Sequence, residues 1–366
     1  MLDTDKYTVN VGPVHPSTHG GLHVEAIMDG EIIEDVIVHL GYVHRSVEKI
    51  AESKTYYQFA PYTARLDYLA TNLPVMGYCQ AVEKLTGIQV PERAEYIRII
   101  MAELSRIASH QIAIAATGID LGATTGLMYA MRDRERIMDI FSMTGGQRLL
   151  SSYIRIGGVA ADIPDDFIPQ VRAFVADIPR MIEEYNSLMT GNEIWAARMK
   201  GVGVLKAEDA VAYSVTGPNL RASGIDFDLR KADPYSIYDR FDFNIPVRQE
   251  GDSMARWEVR IEEIAESGKI IEQALQQLPA GEFMSKVPKN LKPEAGAEVF
   301  HHIESSKGEL GYYIVSDGST KPYRLHVRAP SFINLMVLPL ICRGGVFQDI
   351  ITNIATLDPI LGESDR

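Results

Sequence analysis

Gly12-Pro13-Val14-His15-Pro16-Ser17-Thr18-His19-Gly20 places two of the chain's nine histidines four residues apart. On a helix that spacing would put both rings on one face, as a metal-binding pair requires. Pro13 and Pro16 exclude a helix here, because each lacks an amide donor and pushes the residue before it to an extended conformation. Gly12 and Gly20 bracket the segment. The stretch reads as a stiff loop presenting His15, Ser17, Thr18 and His19, and this sets the start of the fold. Leu22, Val24, Ala26 and Met28 alternate with His23, Glu25 and Ile27, Asp29-Gly30 is a hairpin turn, and Ile33 to Val38 returns. The residue types leave two roles open for the loop: a turn whose histidines bond their neighbours, or a site.

Downstream the chain is mostly helical. Helices are expected from about Ser46 to Ser53, Asp67 to Thr86, Pro91 to Thr117, Leu127 to Thr144, Asp165 to Met189, Lys206 to Val215, Asp252 to Leu278 and Ser331 to Cys342. The helix opened by Pro91 is the clearest, with Ala94, Ile97, Ile100, Met101, Leu104, Ile107 and Ala108 on a 3.6-residue period. Gly118-Ile119-Asp120-Leu121-Gly122 ends it. Pro179 kinks the helix it sits in. Arg132 to Arg136 charge an exposed face, and residues 279 to 300 read as a surface connection. Leu310, Tyr312 and Ile314 face Tyr323, Leu325 and Val327 across Asp317-Gly318 as a second hairpin. The expected architecture is α+β, mainly helical, in one integrated domain. Residues 1–60 hold the first hairpin and its loop, 61–300 a helical core, and 301–366 the second hairpin, a helix and a tail.

Composition narrows the function. The chain has 366 residues, 46% hydrophobic and 23% charged, with a net charge of -13. That acidity argues against nucleic-acid binding, which needs a basic surface. The longest apolar run, Ile333 to Cys342, contains Asn334 and Pro339 and is about half the length of a bilayer span. Met1 to Asp5 carries no signal-peptide pattern. Cys79 and Cys342 are too few for a cluster or a disulfide framework, which suits a reducing compartment. No Gly-x-Gly-x-x-Gly or phosphate-binding loop is present.

Taken together, several motifs resemble one family. They are Gly12 to Gly20, Gly41-Tyr42-Val43-His44-Arg45 with Glu48-Lys49, Pro61-Tyr62-Thr63-Ala64-Arg65-Leu66-Asp67-Tyr68, Ala81 to Leu85, Pro91 to Ala94, Asp120 to Ala123, Arg132 to Glu135, Arg221 to Arg230, Tyr235 to Asp239, Val315 to Gly318 and Asp358 to Arg366. The chain is similar along essentially its whole length to the D subunit of respiratory complex I (NADH:quinone oxidoreductase), in its short bacterial form. That family is related to the large subunit of nickel–iron hydrogenases. The resemblance implies the same helical core with β-hairpins near both termini. Hydrogenases hold their metal with two Cys-x-x-Cys pairs, and the matching positions here are Asp67, Ala70, Ile360 and Glu363. Thiolates are the soft ligands such a centre needs, so the resemblance implies no metal on this chain and no hydrogenase activity.

In this family the emptied metal site is the head of a quinone chamber. By resemblance, His19 and Tyr68 hold the quinone carbonyls, Asp120 pairs with His19, and His15 and Arg65 stand near the chamber. The substrate would be ubiquinone, menaquinone or plastoquinone. The electron donor would be the terminal iron–sulfur cluster of the B subunit. Further partners would be the C and I subunits and the membrane H subunit, with the chain peripheral on the cytoplasmic side of the cell membrane and part of a proton-translocating oxidoreductase. NADH, ferredoxin or a reduced deazaflavin serve as inputs among such complexes. The residue types suit the chemistry, since tyrosine and protonated histidine can each hydrogen-bond a carbonyl and give up a proton. An aspartate beside a histidine favours the imidazolium and orients the ring. The alternative is a hydrogenase-like structural subunit of a related membrane complex with no quinone chemistry of its own. His44-Arg45 with Glu48 reads as a salt-bridged turn, and His301-His302 as a solvated pair. The wording departs from the family at Thr124 to Leu127, Gly145-Gly146-Gln147, Ile156 and Ser364, which bears on which quinone fits.

Overall fold

The computed structural model describes residues 6–366, so the leader reading at Met1 to Asp5 lies outside the described residues. Three antiparallel strands open the chain: β1 (Tyr7–Val11), β2 (His23–Asp29) and β3 (Ile32–His39). The expected hairpin is β2–β3, with Val24 opposite Val38 and Ala26 opposite Val36. β1 was not expected. It pairs with the other edge of β2, Val9 opposite Ala26, and its five residues are too short for pattern alone to separate from a loop. The loop quoted above therefore has both ends held in one sheet.

The helical part follows with α1 (Val47–Ser53), α2 (Tyr56–Thr63), α3 (Asn72–Thr86), α4 (Glu92–Asp120) and α5 (Thr124–Gly145). Two-residue strands β4 (Ile154–Arg155) and β5 (Gly158–Val159) pair with each other. Then come α6 (Phe167–Ala176), α7 (Ile178–Tyr185), α8 (Glu193–Met199), α9 (Ala207–Ala212), α10 (Pro218–Ala222), α11 (Leu229–Ala232) and the long α12 (Ser253–Gln277). A third antiparallel sheet has β6 (Glu298–Ser305), β7 (Gly308–Ser316) and β8 (Pro322–Arg328) in that order. The chain closes with α13 (Pro330–Leu335), α14 (Leu338–Cys342), α15 (Phe347–Leu357) and α16 (Leu361–Asp365). The fold is α+β and mainly helical. No helix among the described residues is long and apolar enough to cross a membrane.

Several boundaries differ from expectation for local reasons. The helix expected from Asp67 begins at Asn72, because the Asp67 carboxylate accepts the amides of Leu69 and Ala70 at 3.0 Å each and holds a turn instead. Pro179 divides its helix into α6 and α7 rather than bending it. The last expected helix divides in the same way, with Pro339 in the first turn of α14. The surface connection expected over residues 279–300 gives way at its end to β6, which starts at Glu298. The alternation of β6 is masked by polar residues, yet Val299 and Ile303 are buried. Within Arg132 to Arg136, Asp133 and Arg134 are buried rather than exposed.

Two cores result. The larger joins α3, α4, α5 and α12 to the buried face of β6–β8, through Ile97, Ile100, Leu104, Ile264, Ile271, Tyr312 and Ile314 among others. The smaller lies under the first sheet, where Val24, Ala26, Met28, Ile33 and Val36 meet Leu338, Ile341, Ile350, Ile354 and Leu357. Each fully buried apolar side chain contributes about 1.5–3 kcal/mol. Buried ions also cross the larger core. Glu103 receives Arg106 at 3.2 Å, Arg230 at 3.2 Å, the Tyr238 hydroxyl at 2.6 Å and Ser267 at 2.7 Å. Arg221 bridges Glu263 at 2.7 Å and Glu304 at 2.8 Å, and Glu263 also holds His110 at 2.8 Å. Burial opposes ionisation of Glu103, but Arg106 and Arg230 hold its carboxyl at about 2.

Candidate functional site

The loop between β1 and β2 is built by its own short side chains. Pro16–Thr18 form one turn of 3-10 helix with Pro16 at its first position. His15 Nδ1 accepts the Ser17 amide at 3.2 Å, and the buried Thr18 donates its hydroxyl to the His15 carbonyl at 2.9 Å. The turn ends on His19 in the left-handed region, at φ 53°, a conformation that costs a non-glycine residue about 1–2 kcal/mol. The cost is offset by where it aims the ring. His19 Nδ1 lies 3.2 Å from the Pro359 carbonyl. A carbonyl can only accept, so Nδ1 carries a proton, and Nε2 is the nitrogen left for whatever enters the site. That Nε2 is buried and has no hydrogen-bond partner among the described residues.

Asp120 is the last residue of α4 and faces the same loop. Burial raises its carboxyl, while a hydrogen bond from Ser17 and the charges of His19 and His15 oppose that rise. The structure thus places His19 in contact with Pro359, with Asp120 close enough to act on His19 electrostatically. His15 is exposed and its ring is turned back to its own loop.

Tyr68 lies in the irregular segment between α2 and α3 that Asp67 organises. Its side chain is 37% exposed. Burial first, then the negative charges of Asp67, Asp358 and Glu363, push its hydroxyl up to about 12. Arg65 donates back to the Pro61 carbonyl on its own turn, and Arg45 donates to the Arg65 carbonyl at 3.0 Å. Glu48 receives Arg324 at 3.2 Å and the Val327 amide at 2.9 Å, so the turn expected around His44-Arg45 is tied to β8. His44 itself bonds the Asp365 carbonyl at 2.5 Å.

Residues 358–365 form a common floor. Pro359 holds His19, and Gly362 packs on the Tyr68 ring, 3.2 Å from Cδ1 measured from an added Cβ. Asp365 receives the amides of Gly41 and Val43 at 2.9 and 2.8 Å. Asp358 acts electrostatically on both His19 and Tyr68. Beneath the floor lie charged residues that motif reading did not assign: Lys307 paired with Asp358, Asp67 bonded by Ser306 at 3.0 Å, and Glu363 bonded by the Ser331 amide at 3.0 Å. Asp67 and Glu363 were singled out only as positions where thiolates are missing. Lys307 sits at the β6–β7 turn, where a lysine reads as solvated.

Away from the site, His301 and His302 are not a solvated pair. His302 bridges Glu309 at 2.7 Å and Asp233 at 2.9 Å, which raises it, and burial lowers His301 to about 4. Both thiols are buried, and burial pushes Cys342 up to about 12.

The chain matches the family described as respiratory-chain NADH dehydrogenase, 49 kDa subunit, over residues 120–297 and 289–366. It belongs to that family. Curated relatives of the 49 kDa subunit family are similar from end to end. The D subunit of the NADH-quinone oxidoreductase of Clostridium beijerinckii is 53% identical, covering 100% of this chain and 98% of the relative. Those of Desulforamulus reducens and Carboxydothermus hydrogenoformans are 50% and 51% identical, covering 100% of this chain and 99% and 100% of the relatives. In this member of the 49 kDa family, the motif loop, the end of α4 and the 358–365 floor are the elements that meet around His19.

Proposed function

We propose that this chain forms the head of a quinone chamber in a membrane-associated, proton-translocating NADH-quinone oxidoreductase, and supports reduction of quinone to quinol. The single observation that carries this reading is the state of His19: Nδ1 is fixed on Pro359, while the buried Nε2 is left without a partner among the described residues. A buried polar atom without a partner costs about 1–3 kcal/mol, and a quinone oxygen relieves it by accepting from Nε2 when that nitrogen carries a proton. Tyr68, resting on the same floor, supplies a second donor.

Reduction adds two electrons and two protons to quinone. Charge on the quinone oxygens is costly in a pocket of low dielectric, so a donor at each oxygen lowers the barrier. His19 in its imidazolium form gives one proton from Nε2, and Tyr68 gives the other from its hydroxyl. Asp120, through Ser17 and its own charge, holds the loop and favours the imidazolium. Loss of that arrangement on proton transfer then reports the chemistry to the rest of the complex. Electrons arrive from an iron–sulfur cluster of the neighbouring B subunit. The C, I and H subunits complete the surroundings, with this chain peripheral on the cytoplasmic side.

The test is quinone-reductase turnover of the purified complex carrying Tyr68→Phe or His19→Gln, beside its reduction of an artificial acceptor upstream of quinone. Quinone turnover is expected to fall about 100-fold or more with the artificial activity intact. Undiminished quinone turnover in both variants would sink the reading.

A further inference from the structure

Two carboxyl groups under the floor have no part in the chemistry just described. Asp67 and Glu363 are both 0% exposed. Each is one residue from the packing contact between Tyr68 and Gly362, Asp67 preceding the tyrosine and Glu363 following the glycine. Asp67 is satisfied by the amides of Leu69 and Ala70 and by Ser306, each at 3.0 Å. Glu363 is not. Its Oε1 accepts the amide and hydroxyl of Ser331, but its buried Oε2 has no partner among the described residues.

The nearby cations make their ion pairs with Asp358, although the charge of Lys307 also reaches Asp67 and Glu363. Lys307 pairs with Asp358, and Arg260 faces the same Asp358 carboxylate at 3.6 Å. Three carboxyl groups (Asp67, Asp358 and Glu363) thus share two buried cations, and both cations stand on Asp358. The other titratable or charged groups acting on the pair are Tyr68, Tyr312 and Arg328. Arg45 acts on Tyr68 from the solvent side. Asp67 and Glu363 repel each other electrostatically; two like charges in a dry site oppose each other's ionisation, and a bare buried carboxylate oxygen is the costlier one to charge.

We propose that Asp67 and Glu363 hold one proton between them, carried on Glu363 at rest, and that this proton restores Tyr68 after it has donated to quinone. The proposal rests on the quinone-site reading above. The step balances without further electrons. Tyr68 O–H gives its proton to the reduced quinone oxygen and becomes tyrosinate. The Glu363 carboxyl O–H bond then breaks, its proton forms the O–H of Tyr68, and Glu363 is left as carboxylate until water reloads it. The transfer runs downhill, since burial and the neighbouring Asp67 place Glu363 at about 8 while Tyr68 lies at about 12. Glu363 acts through Tyr68 and is a positioning residue, not one that touches substrate.

The test uses the whole purified complex. Infrared difference spectra between its oxidised and reduced states should show the carbonyl stretch of a protonated carboxyl group, shifted in heavy water and absent in Glu363→Gln. Quinone turnover in wild type should break near pH 8; in Glu363→Gln it should fall about 10-fold and lose that break. Glu363→Asp should restore that break. If Glu363→Gln does not assemble, Ser306→Ala serves instead. It removes a donor to the Asp67 carboxylate and should move the break upward. The idea is overturned if no carboxyl band belongs to Glu363 or Asp67, or if the pH profile of these variants matches wild type. Full turnover in Tyr68→Phe would instead overturn the quinone reading and the Tyr68 step with it, while leaving the carboxyl band in place.

Discussion

Gly362 and Tyr68 fit together with no room for a side chain between them: a Cβ on Gly362 would lie 2.7 Å from the Arg65 carbonyl, 2.8 Å from the Leu66 carbonyl and 3.2 Å from the Tyr68 ring. Two of these neighbours are backbone atoms, which cannot turn aside. Gly362→Ala must therefore push α16 away from the Tyr68 segment. Overpacking of this kind costs about 1–3 kcal/mol. The expected result is an assembled complex with a raised apparent KM for quinone and reduced turnover. Unchanged kinetics would show that the floor does not set the position of Tyr68.

Glu363 also makes stability depend on pH. Its carboxyl is raised from 4.5 to about 8 in the folded protein. Below 4.5 both folded and unfolded states hold the proton, and the contribution is complete. Between the two values the folded state keeps a proton that the unfolded state has lost, so stability falls as pH rises, by about 1.4 kcal/mol per pH unit. Wild type should therefore melt higher at about pH 5.5 than at about pH 7.5. Glu363→Gln should flatten that difference. A variant with the same pH slope as wild type would count against a protonated Glu363.

The buried ion network predicts an asymmetry among its variants. Removing Arg221 strands Glu263 and Glu304 without their shared cation. Arg221→Met should cost about 3–5 kcal/mol, measured as a lower melting temperature and poor incorporation into the complex. Arg148 pairs with Glu135 and Asp139 on an exposed surface. Arg148→Met should leave the melting temperature close to that of wild type.

Thr18 holds the motif loop from inside, with its hydroxyl on the His15 carbonyl. Thr18→Val keeps the shape and removes the bond. Stability should fall by about 1 kcal/mol, and quinone turnover should fall further than that loss of fold explains, because the left-handed His19 depends on this turn. Turnover in proportion to folded protein would separate the loop geometry from the chemistry.

Asp120→Asn keeps the contact with Ser17 and removes the charge. Proton translocation per electron pair, measured in vesicles, should decline together with turnover. Fully coupled pumping at the normal rate would exclude Asp120 from the coupling step.

The sequence made the long elements plain and the short ones obscure. α4 and α12 run long enough for their apolar period to stand out. β1 has only five residues, and β6, although it pairs with the adjacent β7, carries His301 and His302 where a strand pattern wants apolar residues. Motifs picked out His19, Tyr68 and Asp120, but not how they are mounted. Nothing local says that the ring of His19 answers to Pro359, or that Lys307, at a hairpin turn, is buried against Asp358. Such pairings belong to tertiary structure and leave no period in the sequence.

His19 and Pro359 are 340 residues apart along the chain. During synthesis the loop emerges early and waits through nearly the whole of translation for the carbonyl that fixes its ring. Until residues 358–365 have left the ribosome, the Tyr68 segment and the loop have no floor to close on. A chain stopped before Asp358 contains most residues of both hydrophobic cores and lacks the carbonyl that fixes His19.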